Sequence, residues 1–478
     1  MHLNPCVAAA ILAGTVFLSP LAAQNVTVVK KWKRAAVDYS DVWGWTSPTG
    51  REFAFVGEYS GIWAVETTDP TNIKEAGWWT ANSSSWRDFT HLGSYIYSVS
   101  EHHRGIRVID MSNPDAPKDL GLVATAQLSH SHNIRSDHEN ELLYVCGTNQ
   151  GCAIFDARTS KTNPTLIASW NTVYTHDAFI ARGKAYFANG VTRGTNYVRI
   201  FDSRNPASLV QLGLAQTPGN YAHNCWVTED DQLMVATDEI ANTGTPHATV
   251  WDISNPASPV KKGDYIVSGT GVHNAYVIGR TSFISHYADG FHMVDLADPT
   301  NPTMLARYDT SPGYTSGYHG AWGVFPFTDS GLMYVSDIEE GLYVLQVDCG
   351  HLNRFEAGTA GSNGLVPRVR FDGASPKVGA QGLVMKVSNL QPNAQALFAL
   401  SAKSAKFNLF GVQVNVDLTG AFFVQFQADA NGEATLPAPV PNDPNIGNTR
   451  VYFQVFGQDS GNTGGYSASR GMWTGICK

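Results

Sequence analysis

Between residues 25 and 348 the chain consists of short runs in which apolar and polar residues alternate, the period of a half-buried strand rather than of a helix. The stretch after His273 shows one unit. An apolar run, NAYVIG from Asn274, is followed after a turn by TSFIS from Thr281. A polar turn leads to FHMVDL from Phe291, which alternates in period two until Asp298-Pro299 breaks it, and TMLARY from Thr303 follows. Proline has no N–H for a ladder and fixes its own φ, so it marks the end of the third strand. The pattern predicts four short antiparallel strands.

That unit recurs seven times at intervals of about 46 residues. GIWAVETTDP from Gly61, GIRVIDMSNP from Gly105, VRIFDSRNP from Val198, TVWDISNP from Thr249 and GFHMVDLADP from Gly290 each close a copy, as does a variant from Cys152. GLYVLQVD from Gly341 is a truncated seventh. Five copies open on a histidine, namely His132, His176, His223, His273 and His319, and Trp43 and Trp86 stand in that place in the first two. Four strands per 40–50 residues is the pattern of a propeller blade. The seventh copy lacks its fourth strand, while NVTVVKKWKR from Asn25 reads like the fourth strands NPTLIASWNT and NPTMLARYDT. The expected fold is therefore all-β: a seven-bladed β-propeller over residues 25–348, closed by the N-terminal strand. From residue 351 the period vanishes, and alternating runs such as LVMKVS, FFVQFQ and RVYFQVF predict a small C-terminal β-sandwich over residues 351–478.

Ahead of the repeats, residues 7–18 are apolar and Leu21-Ala22-Ala23 offers a small-residue cleavage site. A run this short does not cross a bilayer, so residues 1–23 read as a signal peptide cleaved near Ala23. No other stretch is expected to span a membrane. The expected location is extracellular, secreted or at the cell surface. A formal charge of −9 with scattered Lys and Arg argues against nucleic acid as a partner. Cys349 and Cys477 bracket the C-terminal region, and a disulfide between them is expected in an exported chain. Cys146 and Cys152 flank a hairpin and either pair or remain buried thiols.

The segments GIRVIDMSNP, TVWDISNP and GFHMVDLADP resemble LVIVD repeats. Landmarks such as Trp43-Gly44-Trp45, Trp86-Arg87-Asp88, Tyr174-Thr175-His176-Asp177 and Thr237-Asp238-Glu239 resemble the choice-of-anchor B family of secreted propellers across residues 25–348. The resemblance implies a propeller displayed or released outside the cell. The C-terminal domain would take the place of an anchor, as an attachment or sorting module. The resemblance brings no reaction with it.

In a blade, the loop into the first strand and the loop between the second and third strands open on one face. The five histidines sit at the first position, and Glu101, Asp238, Glu239, His286 and Asp337 sit at the second. Imidazoles with carboxylates can hold zinc, copper, iron or manganese, and can also serve as acid–base pairs. A histidine before a first strand can instead brace its blade by hydrogen bonding, and the residues alone leave both roles open. No Gly-x-Ser-x-Gly, phosphate-cradling loop, dinucleotide fingerprint or His-Glu-x-x-His occurs. The expected function is a secreted or cell-surface binding protein whose funnel takes an extracellular glycan, protein or small ligand, with a metal ion as its possible cofactor. The alternative is a metal-dependent extracellular enzyme, a polysaccharide lyase or hydrolase or an oxidoreductase. Geometry separates them: ligating atoms converge, bracing residues stay apart.

Overall fold

The computed structural model describes residues 25–190, 196–219, 221–240 and 246–478. The expected signal peptide lies outside these residues. Among them the chain is all-β, with a single 3-10 turn, Pro444–Ile446, as its helical element. No helix among them is long and apolar enough to cross a membrane.

Residues 25–348 fold into seven four-stranded antiparallel sheets of the kind found in propeller blades. In the first, strands Tyr39–Thr46, Glu52–Glu58, Gly61–Glu66 and Lys74–Thr80 follow one another in sequence and in space. The innermost strands are Tyr39–Thr46, Arg87–Leu92, Asn133–Asp137, Asp177–Ala181, Ala222–Val227, Ala275–Ile278 and Ala321–Phe325. Each touches the next, and the last touches the first. Burial falls outward: strand Glu52–Glu58 is buried throughout, whereas the outer strand Thr165–Trp170 alternates exposed and half-buried. That alternation is the period-two pattern of the sequence, read on the edge of a sheet.

In five of the seven sheets an Asp ends the third strand and explains the recurring break. Asp110, Asp202, Asp252 and Asp295 each accept the backbone N–H two residues on through Oδ1. This side-chain turn satisfies backbone donors where the following proline has ended the ladder.

Strand Val26–Trp32 joins the last sheet, pairing antiparallel with Gly341–Val347 so that Val26 faces Val347 and Trp32 faces Leu342. Trp32 packs edge-on against Trp63 of the first sheet at 5.0 Å between ring centroids. Aromatic pairs in this geometry contribute roughly 0.5–1.5 kcal/mol beyond the area they bury.

After residue 351 a six-stranded antiparallel sheet and a three-stranded one enclose a core that includes Val387, Phe398, Phe453, Val455 and Met472. Cys349 and Cys477 are bonded, with Cα atoms 5.1 Å apart. Ion pairs Lys377–Asp295 and Arg368–Asp329 and the Thr281–Ser375 hydroxyl contact at 2.6 Å fasten this region to the seven sheets. Cys146 and Cys152 face each other across their hairpin as buried, unbonded thiols, their sulfurs 3.4 Å apart.

Candidate metal centre at the channel mouth

Strand register decides which side chains enter the mouth of the central channel. In the sheet of Ala222–Val227, Ala222 pairs with Asp238 and Asn224 with Thr237, which leaves His223 in a bulge between them. In the last sheet Ala321 pairs with Asp337 and Gly323 with Ser336, which leaves Trp322 in the same place. Bulges re-aim a side chain locally. Trp86, His132, His176, His223, His273 and Trp322 all line one small enclosure, with Asp41, Arg87, Asn133 and Asn274 completing it. Its space is about 10 Å³, room for a single ion or water.

The four histidines form a continuous arc. Ring centroids are 4.3 Å apart for His132–His176, 4.1 Å for His176–His223 and 4.3 Å for His223–His273. Trp322 follows His273 at 4.6 Å, and Trp86 lies 6.3 Å from Trp322.

Two expectations are corrected by this register. His319 lies outside the enclosure: its Nδ1 bonds Glu339 at 2.5 Å and its ring stacks on Tyr314 at 4.0 Å. Trp43 lies deeper in the channel, where its indole N–H donates to His91 Nδ1 at 2.9 Å. Trp322 and Asp41 line the enclosure in place of His319 and Trp43. Ser40 and Asp41 fall in the register shift between Tyr39 and Val42.

Hydrogen bonding fixes the tautomers of the arc. His176 Nδ1 lies 2.9 Å from the carbonyl of His223, His223 Nδ1 lies 3.1 Å from that of His273, and His273 Nδ1 lies 2.6 Å from that of Trp322. A carbonyl oxygen only accepts, so Nδ1 carries the proton in each. In a neutral imidazole that leaves Nε2 with a free lone pair, the form that ligates metals. Burial holds all three neutral, pushing His273 down to about 3 and His176 and His223 well below the usual histidine range. The same bonds that brace each sheet to the next therefore prepare the donors.

Glu239 supplies the carboxylate. One ligand atom each from His223, Glu239 and His273 lies within 4.8 Å of the others, and Glu239 Oε2 is 3.7 Å from His223 Nε2. The Tyr287 hydroxyl donates to Glu239 Oε1 at 2.5 Å and holds the side chain in place. Burial raises the Glu239 carboxyl above its ordinary range, and this bond opposes the rise. Tyr287 carried no signal in the sequence: it is an aromatic in a turn, 48 residues from its partner.

The other acidic candidates divide. Glu101 accepts from His132 Nδ1 at 2.6 Å at the far end of the arc, and that bond lowers its carboxyl. Asp238 binds Thr217 Oγ1 and the backbone N–H groups of Gly219 and Tyr221, so it braces a loop. Asp337 does the same through Ser311 and the N–H groups of Glu339 and Glu340. His286 is fully buried, stacked on His292 at 5.0 Å, with Nδ1 on Thr270 at 3.0 Å.

Beneath the arc the channel is plugged by charge. Arg135 bonds Asp88 at 2.5 Å and Asp177 at 3.0 Å, and Asn224 donates to Asp177 at 2.8 Å. Burial and the neighbouring Asp88 hold the Asp41 carboxyl well above its usual range.

Comparison with known proteins fits this architecture. Residues 248–267 and 277–310 match the LVIVD repeat. No curated protein matches the chain in sequence. Among solved structures it is similar to a chain of Kuenenia stuttgartiensis Hydrazine Synthase, with a TM-score of 0.51 and 11% identity over 66% of this chain and 99% of that one. At that identity the likeness speaks for the fold alone. The protein is of the β-propeller type and carries LVIVD repeats.

Proposed function

We propose that this is an exported seven-bladed propeller, closed by its N-terminal strand and followed by a C-terminal sandwich, that binds a transition-metal ion at its channel mouth and presents it to an extracellular partner. The convergence of His223, Glu239 and His273 within 4.8 Å carries the reading. A zinc-like shell, with ligands at about 2.0–2.1 Å, needs donor atoms roughly 3–4 Å apart, so binding would draw these side chains in by up to about 1 Å. His176, with its Nε2 also free, is the natural fourth donor. Imidazole and carboxylate donors suit zinc, copper, iron or manganese.

The surround supports a binding role. The exposed aromatics among the described residues of the seven sheets are Tyr59, Trp86, Tyr174, Tyr314 and Tyr318. All five lie in loops on the histidine side, as expected of a face that receives a ligand. The bonded pair Cys349–Cys477 supports export, since such bonds persist in oxidising compartments.

The test is elemental analysis of untagged protein, followed by calorimetric titration of zinc into the chelator-treated chain. One equivalent bound, lost in Glu239→Ala with His223→Ala, is the expected result. Metal-free protein that takes up none would overturn the proposal.

A further inference from the structure

The opposite end of the channel holds a second cavity, of about 320 Å³, lined by residues of all seven innermost strands. Five aromatic rings line it: Trp43, Phe179, Trp226, Phe325 and Phe327. They meet one another at angles, Phe179 on Trp226 at 4.5 Å and Trp43 on Phe325 at 5.0 Å. Arg135 closes the inner end, but its charge is matched by Asp88 and Asp177. At the rim Arg182 is paired with Asp231, and Glu229 accepts from Gly279 N–H. The cavity therefore presents no unpaired cation to an occupant, and its carboxylates, Asp137, Glu139 and Glu229, are held by backbone N–H groups.

Thr90 Oγ1 and Ser136 Oγ bond each other, and Ser136 also bonds His138 Nε2, which leaves His91 as the directional group. His91 Nδ1 accepts the Trp43 indole proton, so the His91 proton sits on Nε2 as a donor. Burial and the neighbouring His138 push this imidazole down to about 3, which keeps it neutral. An apolar enclosure with a single fixed donor is the pattern of a small-molecule site. An apolar cavity of about 150 Å³ takes up benzene, so one about twice that size has room for two fused rings.

We propose that this cavity binds an uncharged, two-ring aromatic molecule that presents one hydrogen-bond acceptor to His91 Nε2. The walls favour an aromatic occupant, because ring edges and faces pair at the angles already present here. The site lies at the other end of the channel from the histidine arc, separated from it by the Arg135 cluster, and does not depend on the metal.

The experiment uses the full chain at neutral pH with two probes of equal size: quinoline, which carries an acceptor nitrogen, and naphthalene, which carries none. Saturation-transfer NMR and tryptophan quenching should show one saturable quinoline site. Naphthalene should bind at least about tenfold more weakly, because it leaves a buried donor unpaired. Ala181→Phe, which fills the cavity from its half-buried wall, should abolish quinoline binding while leaving the melting temperature and zinc titration unchanged. Phe327→Ala, which removes a wall, should weaken binding and serves if the first variant misfolds. Absence of saturable quinoline binding, equal binding of the two probes, or binding indifferent to both variants would each overturn the proposal. Loss of zinc binding alone would leave it intact.

Discussion

Two arcs of the channel mouth occupy one repeat position and differ in what they can do. From the third sheet to the sixth the position holds His132, His176, His223 and His273; on the other side Asp41, Trp86 and Trp322 line the enclosure. The bracing bond crosses the boundary unchanged, since His273 donates to the carbonyl of Trp322 just as His223 donates to that of His273. Bracing needs only a donor and the next backbone carbonyl, which is why it repeats. Ligation needs a carboxylate that the repeat does not supply, and Glu239, held by Tyr287, provides it in one place. The tryptophan arc closes the enclosure sterically. The histidines thus brace the sheets while keeping Nε2 unprotonated, and the symmetry-breaking acid marks where an ion would sit.

The largest test of that contrast is the double change His223→Ala with His273→Ala. Bound metal should fall from about one equivalent to background by elemental analysis, with the fold retained by circular dichroism. Glu101→Gln, at the far end of the arc, should leave the metal content unaltered. Next comes Glu239→Gln, which keeps the shape and removes the charge. Zinc affinity by calorimetry should drop roughly 10–100-fold, whereas Tyr287→Phe, which frees Glu239 from its support, should lie at the lower end of that range.

A third test separates the arc from a purely bracing histidine. Burial pushes His286 from 6.5 to about 3, with His292 also lowering it and Asp289 opposing. The unfolded chain therefore takes up a proton that the folded one refuses. Stability supplied by neutral His286 is present above about pH 6.5 and declines as pH falls towards 3, by about 1.4 kcal/mol per unit. Asp41 and Asp177, whose carboxyls are raised, act in the opposite sense, but they cancel when a variant is compared with its parent. Denaturation of His286→Gln should show a shallower fall between about pH 6 and pH 4.5, without change in metal content. The smallest effect is expected of Trp322→His. It extends the arc by one ring but brings no carboxylate, so zinc affinity should change by less than about threefold, under 1 kcal/mol.

Much of this architecture was legible in the chain. The four-stranded unit showed because Asp or Asn followed by Pro recurs between third and fourth strands, and the Asp that ends the third strand three residues earlier caps the turn. The pairing of Val26–Trp32 showed because one strand was spare at one end and one missing at the other. The channel mouth was legible only in part. His319 has the identity that marks four other sheets, yet it stands three residues before the bulge, and register rather than identity decides which side chain enters. The signal was there: Ala222-His223 and Ala321-Trp322 each place the ring one residue past an alanine. Glu239 could not be told from Asp238 by spacing, because the choice depends on which of the two leaves the ladder. Tyr287 and the Arg135 cluster are contacts between distant loops and strands, which no local pattern encodes.

The first strand sets the order in which this molecule can be finished. Each of the other six sheets is drawn from one contiguous stretch and can form as soon as that stretch exists. The last sheet needs both ends: Val26 lies beside Val347, and Thr27 donates to Asp348 across 321 residues of chain. Closing so long a loop costs little more entropy than closing one half as long, so distance is no thermodynamic bar. It is a bar in time. A chain interrupted anywhere before the Gly341–Val347 strand keeps its first strand as an open edge, ready to pair with whatever strand it meets. The topology thus acts as a completeness check on synthesis: only a chain that has reached its final repeat can cover the edge it was born with.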